Sequence, residues 1–433
     1  MNEVTVGILG LVIILFMFLT GIELAFAMIL VGFVGFAYLT SWGAAFSLLA
    51  KDVYNVFSSY SFTVIPLFVL MGQVAFNSGI AKRLFDSAHK FVGHIPGGLA
   101  MSTVVGATAF KAICGSSPAT AATFASVAVP EMEHYGYARK LSTGIVATVG
   151  TLGILLPPSV TLIIYGVITD VSIGRLFLAG ILPGLLIAFF FVCVIYGWCK
   201  INPKIGPRSE KSTWGARFRS LPDVIFVAFI FFLMIGGILD GFFTPTEAGS
   251  VGTFLVLLLV FIKKDLNFKG YIKSASDAIR TACMVLTLLL GSTILGHFIA
   301  ITKIPMITAD WLCGLALPSW GTILLIAIIY LVGGSFIDDL AFMILATPIF
   351  YPAIMKLGFD PLWFGILIAI TVMVGIVIPP VATVVFVVSK ITKTPLGVVY
   401  SGVYPFLLSL AVGAIFVFLF PGLATWLPNW LMP

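Results

Sequence analysis

The chain has 433 residues, 60% of them hydrophobic and only 9% charged; a soluble domain carries about 25% charged residues, so this is an integral membrane protein and not a large soluble core. Its net charge of +6 therefore marks cytoplasmic loops rather than a nucleic-acid-binding face. Five cysteines (Cys114, Cys193, Cys199, Cys283, Cys313) show no metal-ligand spacing and are expected as buried small hydrophobes, and no Walker sequence or Ser/His/Asp set supports ATP drive or hydrolysis.

The first apolar run has no basic n-region and no small-residue cleavage site, so no cleavable signal is expected. Because the chain starts directly with that span, no further membrane subunit is expected fused ahead of it. Residues 4–20 and 24–40 read as spans, 43–56 as an interfacial stretch and 58–78 as a third span. Ile80–Val92 reads as an amphipathic segment along the membrane surface. Residues 97–129 are apolar around a polar middle, Cys114–Thr120. Two helices of about 14 residues, each about 20 Å long, cannot both cross, so they form a re-entrant hairpin with its tip in mid-membrane. A broken span over 140–168 and a span over 172–198 follow. Lys200–Arg219 is a polar loop with six basic residues and one acid. Spans at 221–240 and 244–262 join through a tight turn near Asp240. Residues 263–280 carry five basic residues ahead of a span at 281–301. Residues 303–318 look interfacial, and 320–355 form a second hairpin with its tip at Gly333–Asp339. A second broken span (361–389) and a last span (396–420) complete the chain.

The broken spans organise this list. Gly153–Thr161 places Pro157 and Pro158 inside an apolar run, and Gly375–Thr383 repeats the pattern with Pro379 and Pro380 at an offset of 222 residues. Proline removes a backbone donor and clashes with the preceding turn, so the helix breaks there. In hydrocarbon such a break survives only where protein or a polar cavity covers it. Between 115 and 183 the offset gives eleven identities, and seven are Gly or Pro, the residues that fix backbone shape. Paired interrupted segments in two halves point to the binding site of a secondary transporter.

Charge sets the orientation. With the N-terminus outside, 18 of the 23 basic residues fall in the cytoplasm, as the positive-inside rule requires. The first hairpin then opens to the cytoplasm and the second to the outside, so the repeats are inverted. The expected fold is an all-α polytopic membrane protein with about ten full spans and two re-entrant helical hairpins. Its parts are scaffold helices with an amphipathic arm (1–95), a first transport repeat (96–199), a loop with scaffold helices and a connecting arm (200–319), a second transport repeat (320–420) and a C-terminal tail (421–433).

At each tip, small residues expose backbone opposite a Gly-x-x-x-Pro-Pro break. Free carbonyls and helix C-termini suit Na⁺, and helix N-termini suit an anionic substrate. The candidate ion ligands are Gly115, Ser116, Ser117, Gly150, Gly153, Pro157, Asp338, Asp339, Gly375, Ile378 and Pro379. The candidate substrate contacts are Ser117, Thr120, Pro158, Thr161, Pro380 and Thr383. Ser116 and Ser117 align with Asp338 and Asp339, so the two sites are related but unequal. A carboxylate at the bilayer centre costs roughly 3 kcal/mol; Asp338 and Asp339 either meet a cation or sit wet in a shallow tip. The residues alone allow H⁺ or Na⁺ as the coupling ion, with the exposed carbonyls favouring Na⁺. Lys111 is expected to snorkel to the cytoplasm, His297 to be a packed helix residue, and Glu131, Glu133 and His134 to form a solvated turn rather than a transition-metal site. No cofactor is expected.

Gly106–Phe110 with Cys114–Thr120, Gly150–Pro158, Leu176–Gly184 and Gly375–Pro380 resemble the large membrane subunit, the DctM-like M subunit, of tripartite ATP-independent periplasmic (TRAP) transporters, over essentially the whole chain. The resemblance implies a bacterial inner-membrane, Na⁺-coupled elevator-type importer of organic acids. It also implies two partners, a periplasmic substrate-binding protein and a small four-helix membrane subunit. The family's second-hairpin acid, ten residues before the proline of a Thr-Pro pair, matches Asp338, ten before Pro348. Two other readings remain: a stand-alone Na⁺- or H⁺-coupled carboxylate carrier without a binding protein, and an uncoupled channel or scaffold. Leak current without accumulation would mark the last.

Overall fold

The computed structural model describes residues 2–432, and the regular elements among them are all helical. Helices α1 (Glu3–Leu19) and α2 (Leu24–Leu39) pair tightly, and Phe16, Leu19, Phe26 and Leu30 remain exposed on their outer faces. Apolar residues on all sides are what a lipid-facing helix carries. Next come α3 (Trp42–Ser58), a short 3₁₀ turn and α4 (Val64–Asn77). In α5 (Ile80–Val92), Ile80, Ala81, Leu84, Phe85 and Ala88 are buried at helical spacing, and this face lies on α6. The first hairpin is α6 (Gly98–Lys111) and α7 (Ser117–His134). The first broken helix is α8 (Arg139–Gly150), a 3₁₀ turn and α9 (Val160–Thr169), followed by α10 (Ile173–Ile201).

After α11 (Trp214–Arg219) come α12 (Leu221–Leu239) and α13 (Pro245–Lys263). The turn between them follows its residues. Gly241 takes a left-handed φ of +74°, and Thr244 and Glu247 cap α13 reciprocally: the Glu247 amide donates to Thr244 Oγ1 at 3.3 Å and the Thr244 amide to Glu247 Oε2 at 2.7 Å. Then follow α14 (Phe268–Ile301), α15 (Ile304–Cys313), the second hairpin of α16 (Ser319–Phe336) and α17 (Asp339–Lys356), the second broken helix of α18 (Pro361–Gly375) and α19 (Thr383–Thr392), and finally α20 (Leu396–Leu419) and α21 (Gly422–Leu431).

The 222-residue offset holds in three dimensions. α17 begins and ends 222 residues after α7, the Pro157–Pro158 and Pro379–Pro380 bonds are both cis, and Gly136 and Gly358 share φ +75°. The repeats also interlock. α7 packs on α8 of its own repeat and on α19 of the other, and α17 packs on α18 and on α9. Small residues bring backbones together where repeats meet: a Cβ on Gly402 of α20 would lie 1.7 Å from the Lys140 carbonyl of α8. Around this unit, α14 packs on α2, α3 and α4, and Gly32 lets α2 approach the Leu295 backbone.

Several expectations are revised. Residues 268–280 are not separate from the following span: they are the first turns of the 34-residue α14, about 50 Å long and well beyond a hydrocarbon core of about 30 Å. In the first hairpin α6 has the 14 residues expected, but α7 has 18. Of the cysteines, Cys114 and Cys199 are buried but Cys193, Cys283 and Cys313 are exposed, because the outer face of an apolar span meets lipid. His297 is not packed away; its Nε2 lies 3.3 Å from Oδ2 of the buried Asp52 on α3. The loop after α10 is stapled to the base of the first hairpin: the Gly97, Ala138 and Ser209 amides donate to the Gly206, Ile205 and Gly93 carbonyls. Residues 421–433 contain α21, which packs on α10. Glu133 pairs with Arg139 at 3.1 Å in an exposed turn, as expected.

Candidate functional site

The first break is enclosed. Residues 151–160 are all buried, and the tip of the first hairpin lies on them: a Cβ on Gly115 would sit 2.6 Å from the Pro158 carbonyl, and one on Gly150 would sit 2.9 Å from Ala121. Both glycines permit a close approach that a side chain would block. Ser116 caps α7 through its hydroxyl, which accepts from the Ala119 amide at 3.4 Å. The Ser116 carbonyl accepts from the Thr120 hydroxyl at 3.0 Å and from Lys111 Nζ, also at 3.0 Å. Ser117 and Thr120 are buried beside it.

Lys111 therefore corrects the snorkelling expectation. Its side chain is 0% exposed and runs inward, so that a Cβ on Gly153 would lie 2.0 Å from Nζ. Lys111 closes α6, about 20 Å along the helix from Gly98. A four-carbon stem cannot cover that distance to water.

Ser159, which sequence reasoning passed over, ties the break together. Its hydroxyl donates to the Ile154 carbonyl at 2.6 Å and accepts from the Leu162 amide at 3.3 Å, capping α9. A serine directly after Pro-Pro and before an apolar run is a legible N-cap signal. The Pro157 and Pro158 carbonyls accept no hydrogen bond among the described residues, which leaves oxygen lone pairs inside the protein.

The second break is open. Pro379, Pro380 and Val381 are exposed, and Ile378 and Thr383 are half-buried. Gly375 packs against the backbone of Gly334 on α16, and the Val381 amide donates to the Ser335 carbonyl at 3.1 Å. Asp338 is the half-buried N-cap of α17, and Asp339 is its first residue, only 6% exposed. Acids at a helix N-terminus meet its positive dipole end. Asp339 Oδ2 accepts from the Thr161 hydroxyl at 3.4 Å, so the acid of the second hairpin meets the first broken helix. No hydrogen bond joins either acid to residues 375–380 among the described residues.

The arrangement brings together Gly115 with Pro158, Ser116 with Thr120, and Thr161 with Asp339. It leaves Ile378, Pro379, Pro380 and Thr383 at the open break. Carboxylate, hydroxyl and free carbonyl oxygens are the ligands a hard cation takes. A cavity of about 400 Å³ lies beside the first tip, lined by Gly115 and Ser116 together with Phe68 and Gln73 of α4, Thr281 of α14 and Val387 of α19. Its volume suits a small organic molecule.

Residues 11–423 match the family model described as tripartite ATP-independent periplasmic transporter, DctM component. The chain is 34% identical over 386 residues to the C4-dicarboxylate TRAP transporter large permease protein DctM of Pseudomonas aeruginosa, covering 88% of this chain and 90% of that protein. It is 31% identical over 416 residues to the sialic acid TRAP transporter large permease protein SiaM of Vibrio cholerae, covering 94% and 95%. Among solved structures, the Alcanivorax borkumensis YdaH transporter is similar with a TM-score of 0.61, covering 88% of this chain and 89% of that one at 14% identity. That last likeness concerns the fold alone.

Proposed function

The chain belongs to the DctM-component family of tripartite ATP-independent periplasmic transporters, and from that membership we propose that it carries an organic acid inward across the bacterial inner membrane on a Na⁺ gradient. As the large membrane subunit of such a transporter it is a multi-pass inner-membrane protein and not an enzyme. Its proposed partners are a periplasmic substrate-binding protein that delivers the acid and a small four-helix membrane subunit. C4-dicarboxylates and sialic acids, the substrates named for the two relatives above, set the class. The N-terminus lies in the periplasm on this reading, and the charge bias of the loops supports it. Ten spans follow from α1, α2, α4, α10, α12, α13, α14, α20 and the two broken helices, since α8–α9 and α18–α19 each cross once. The two interlocked repeats then move as an elevator against the α2–α4–α14 layer.

The observation that carries the coupling is the contact of Asp339 with Thr161. A buried carboxylate bonded to a helix N-terminal hydroxyl of the other repeat gives a cation a way to join the hairpin to a broken helix. Binding of the ion would keep the acid charged and hold the tip closed over the substrate. Helix N-termini at Ser117 and Val160 offer their amides and dipoles to the substrate carboxylate.

The test is initial uptake of a C4-dicarboxylate or a sialic acid against Na⁺ concentration, in proteoliposomes containing the complete transporter. Asp338→Asn and Asp339→Asn each remove a charged ligand, at a cost of about 2–5 kcal/mol as for breaking a buried pair. The Na⁺ concentration for half-maximal rate should rise at least about 30-fold. Ser116→Ala removes the hydroxyl that caps α7, costs about 1 kcal/mol of stability, and should leave the half-maximal Na⁺ concentration nearly unchanged. Uptake indifferent to Na⁺ but driven by an imposed pH gradient would overturn the coupling.

A further inference from the structure

Lys111 is a charged side chain that this coupling scheme leaves without a task. It is fully buried and takes part in no ion pair among the described residues. A buried ammonium is tolerated only where fixed dipoles replace its water. Here the Ser116 carbonyl accepts from Nζ at 3.0 Å. Gly153 leaves the notch that receives the end of the side chain: a Cβ there would lie 2.0 Å from Nζ, 2.7 Å from Cε and 3.0 Å from Cδ. The notch sits just past the C-terminus of α8, where a helix carries its negative dipole end.

Carbonyl oxygen and a helix C-terminus are what a Na⁺ ion seeks at such a break. The other repeat has the opposite arrangement. The position 222 residues after Lys111 is Gly333, and Asp338 and Asp339 stand where the first repeat has Ser116 and Ser117. The first tip thus carries a built-in positive charge on a neutral carbonyl, and the second tip carries built-in negative charge with no lysine.

Building on the Na⁺-coupled reading above, we propose that the Lys111 ammonium is a tethered cation that permanently fills the first break, so that this chain binds exchangeable Na⁺ only at the acids of the second hairpin. The first hairpin is then locked onto its broken helix throughout the cycle, and the second alone responds to Na⁺. The enclosed first break and open second break fit that division.

The experiment is equilibrium binding of ²²Na⁺ to the full-length chain purified with its membrane partner, counted as saturable sites per chain. Wild type should bind one Na⁺, and Asp339→Asn should abolish it. Lys111→Ala removes both the charge and the stem and should raise the count to two. Lys111→Met fills the same space without charge and should leave it at one. Two or more saturable sites in wild type would overturn the proposal even if no Lys111 variant folds. A folded Lys111→Ala protein that still binds one would also overturn it, while the loss in Asp339→Asn would leave the Na⁺-coupled reading standing. No saturable Na⁺ in wild type would remove that reading and this inference together.

Discussion

Gly153 and Lys111 make a pair whose coupling can be measured without any transport assay. In Gly153→Ala the new methyl meets Nζ, Cε and Cδ of Lys111 at 2.0, 2.7 and 3.0 Å, where ordinary carbon contacts are about 3.5–4.0 Å. The lysine has no route to solvent, so it must be forced off its carbonyl or the hairpin must lift from the break. Overpacking of this kind costs about 1–3 kcal/mol, and losing the hydrogen bond to Ser116 adds about 1 kcal/mol or more. With unfolding entropy of about 2 cal/mol/K per residue, 1 kcal/mol moves the midpoint of a chain this long by about 1 °C. Thermal unfolding of the purified protein should therefore drop by about 2–4 °C in Gly153→Ala. In the Lys111→Ala background all three of those clashing atoms are gone, and the alanine at 153 should cost nothing or restore part of what the lysine truncation lost. The double-mutant cycle isolates this as a non-additive term. An equal drop in both backgrounds would refute the placement of Lys111 and, with it, the tethered-cation argument.

Two glycines on α20 should respond with opposite sign. Gly402→Ala puts a methyl 1.7 Å from the backbone carbonyl of Lys140, which cannot rotate away, and should lower the unfolding midpoint by several degrees; Gly397→Ala meets nothing within 4 Å and should leave it unchanged or raise it slightly. In intact cells, a single cysteine at Gly241 in the α12–α13 turn should react with an impermeant maleimide and one at Ser212, in the basic loop before α11, should not; the reverse pattern would invert the proposed orientation.

The repeat was legible because its signal lay in residues that shape backbone. Gly136, Gly153, Pro157, Pro158 and Pro183 recur at one offset, and the helices, the left-handed turns and the cis bonds recur with them. The amphipathic α5 was legible from its apolar spacing for the same kind of reason: one stripe of side chains has one place to go. Contacts between the repeats were not legible. Nothing in the spacing of Thr161 and Asp339, 178 residues apart, says that they touch. Residue type alone suggests that Lys111 snorkels; its place at the end of α6, about 20 Å from Gly98, rules that out. Asp52, the partner of His297, lies on α3, far away in sequence, and no local spacing announces it. Five basic residues over 263–280 suggest a loop, although a helix leaving the membrane carries such charges equally well.

The interlocked packing of α7 on α19 and α17 on α9 makes each repeat depend on the other. One half alone would present a hairpin with no second broken helix to lean on, so neither repeat is a self-sufficient folding unit. Within one chain the two tips need not be equal, and they are not: Ser116-Ser117 follow a lysine, while Asp338-Asp339 follow a glycine at the matching position.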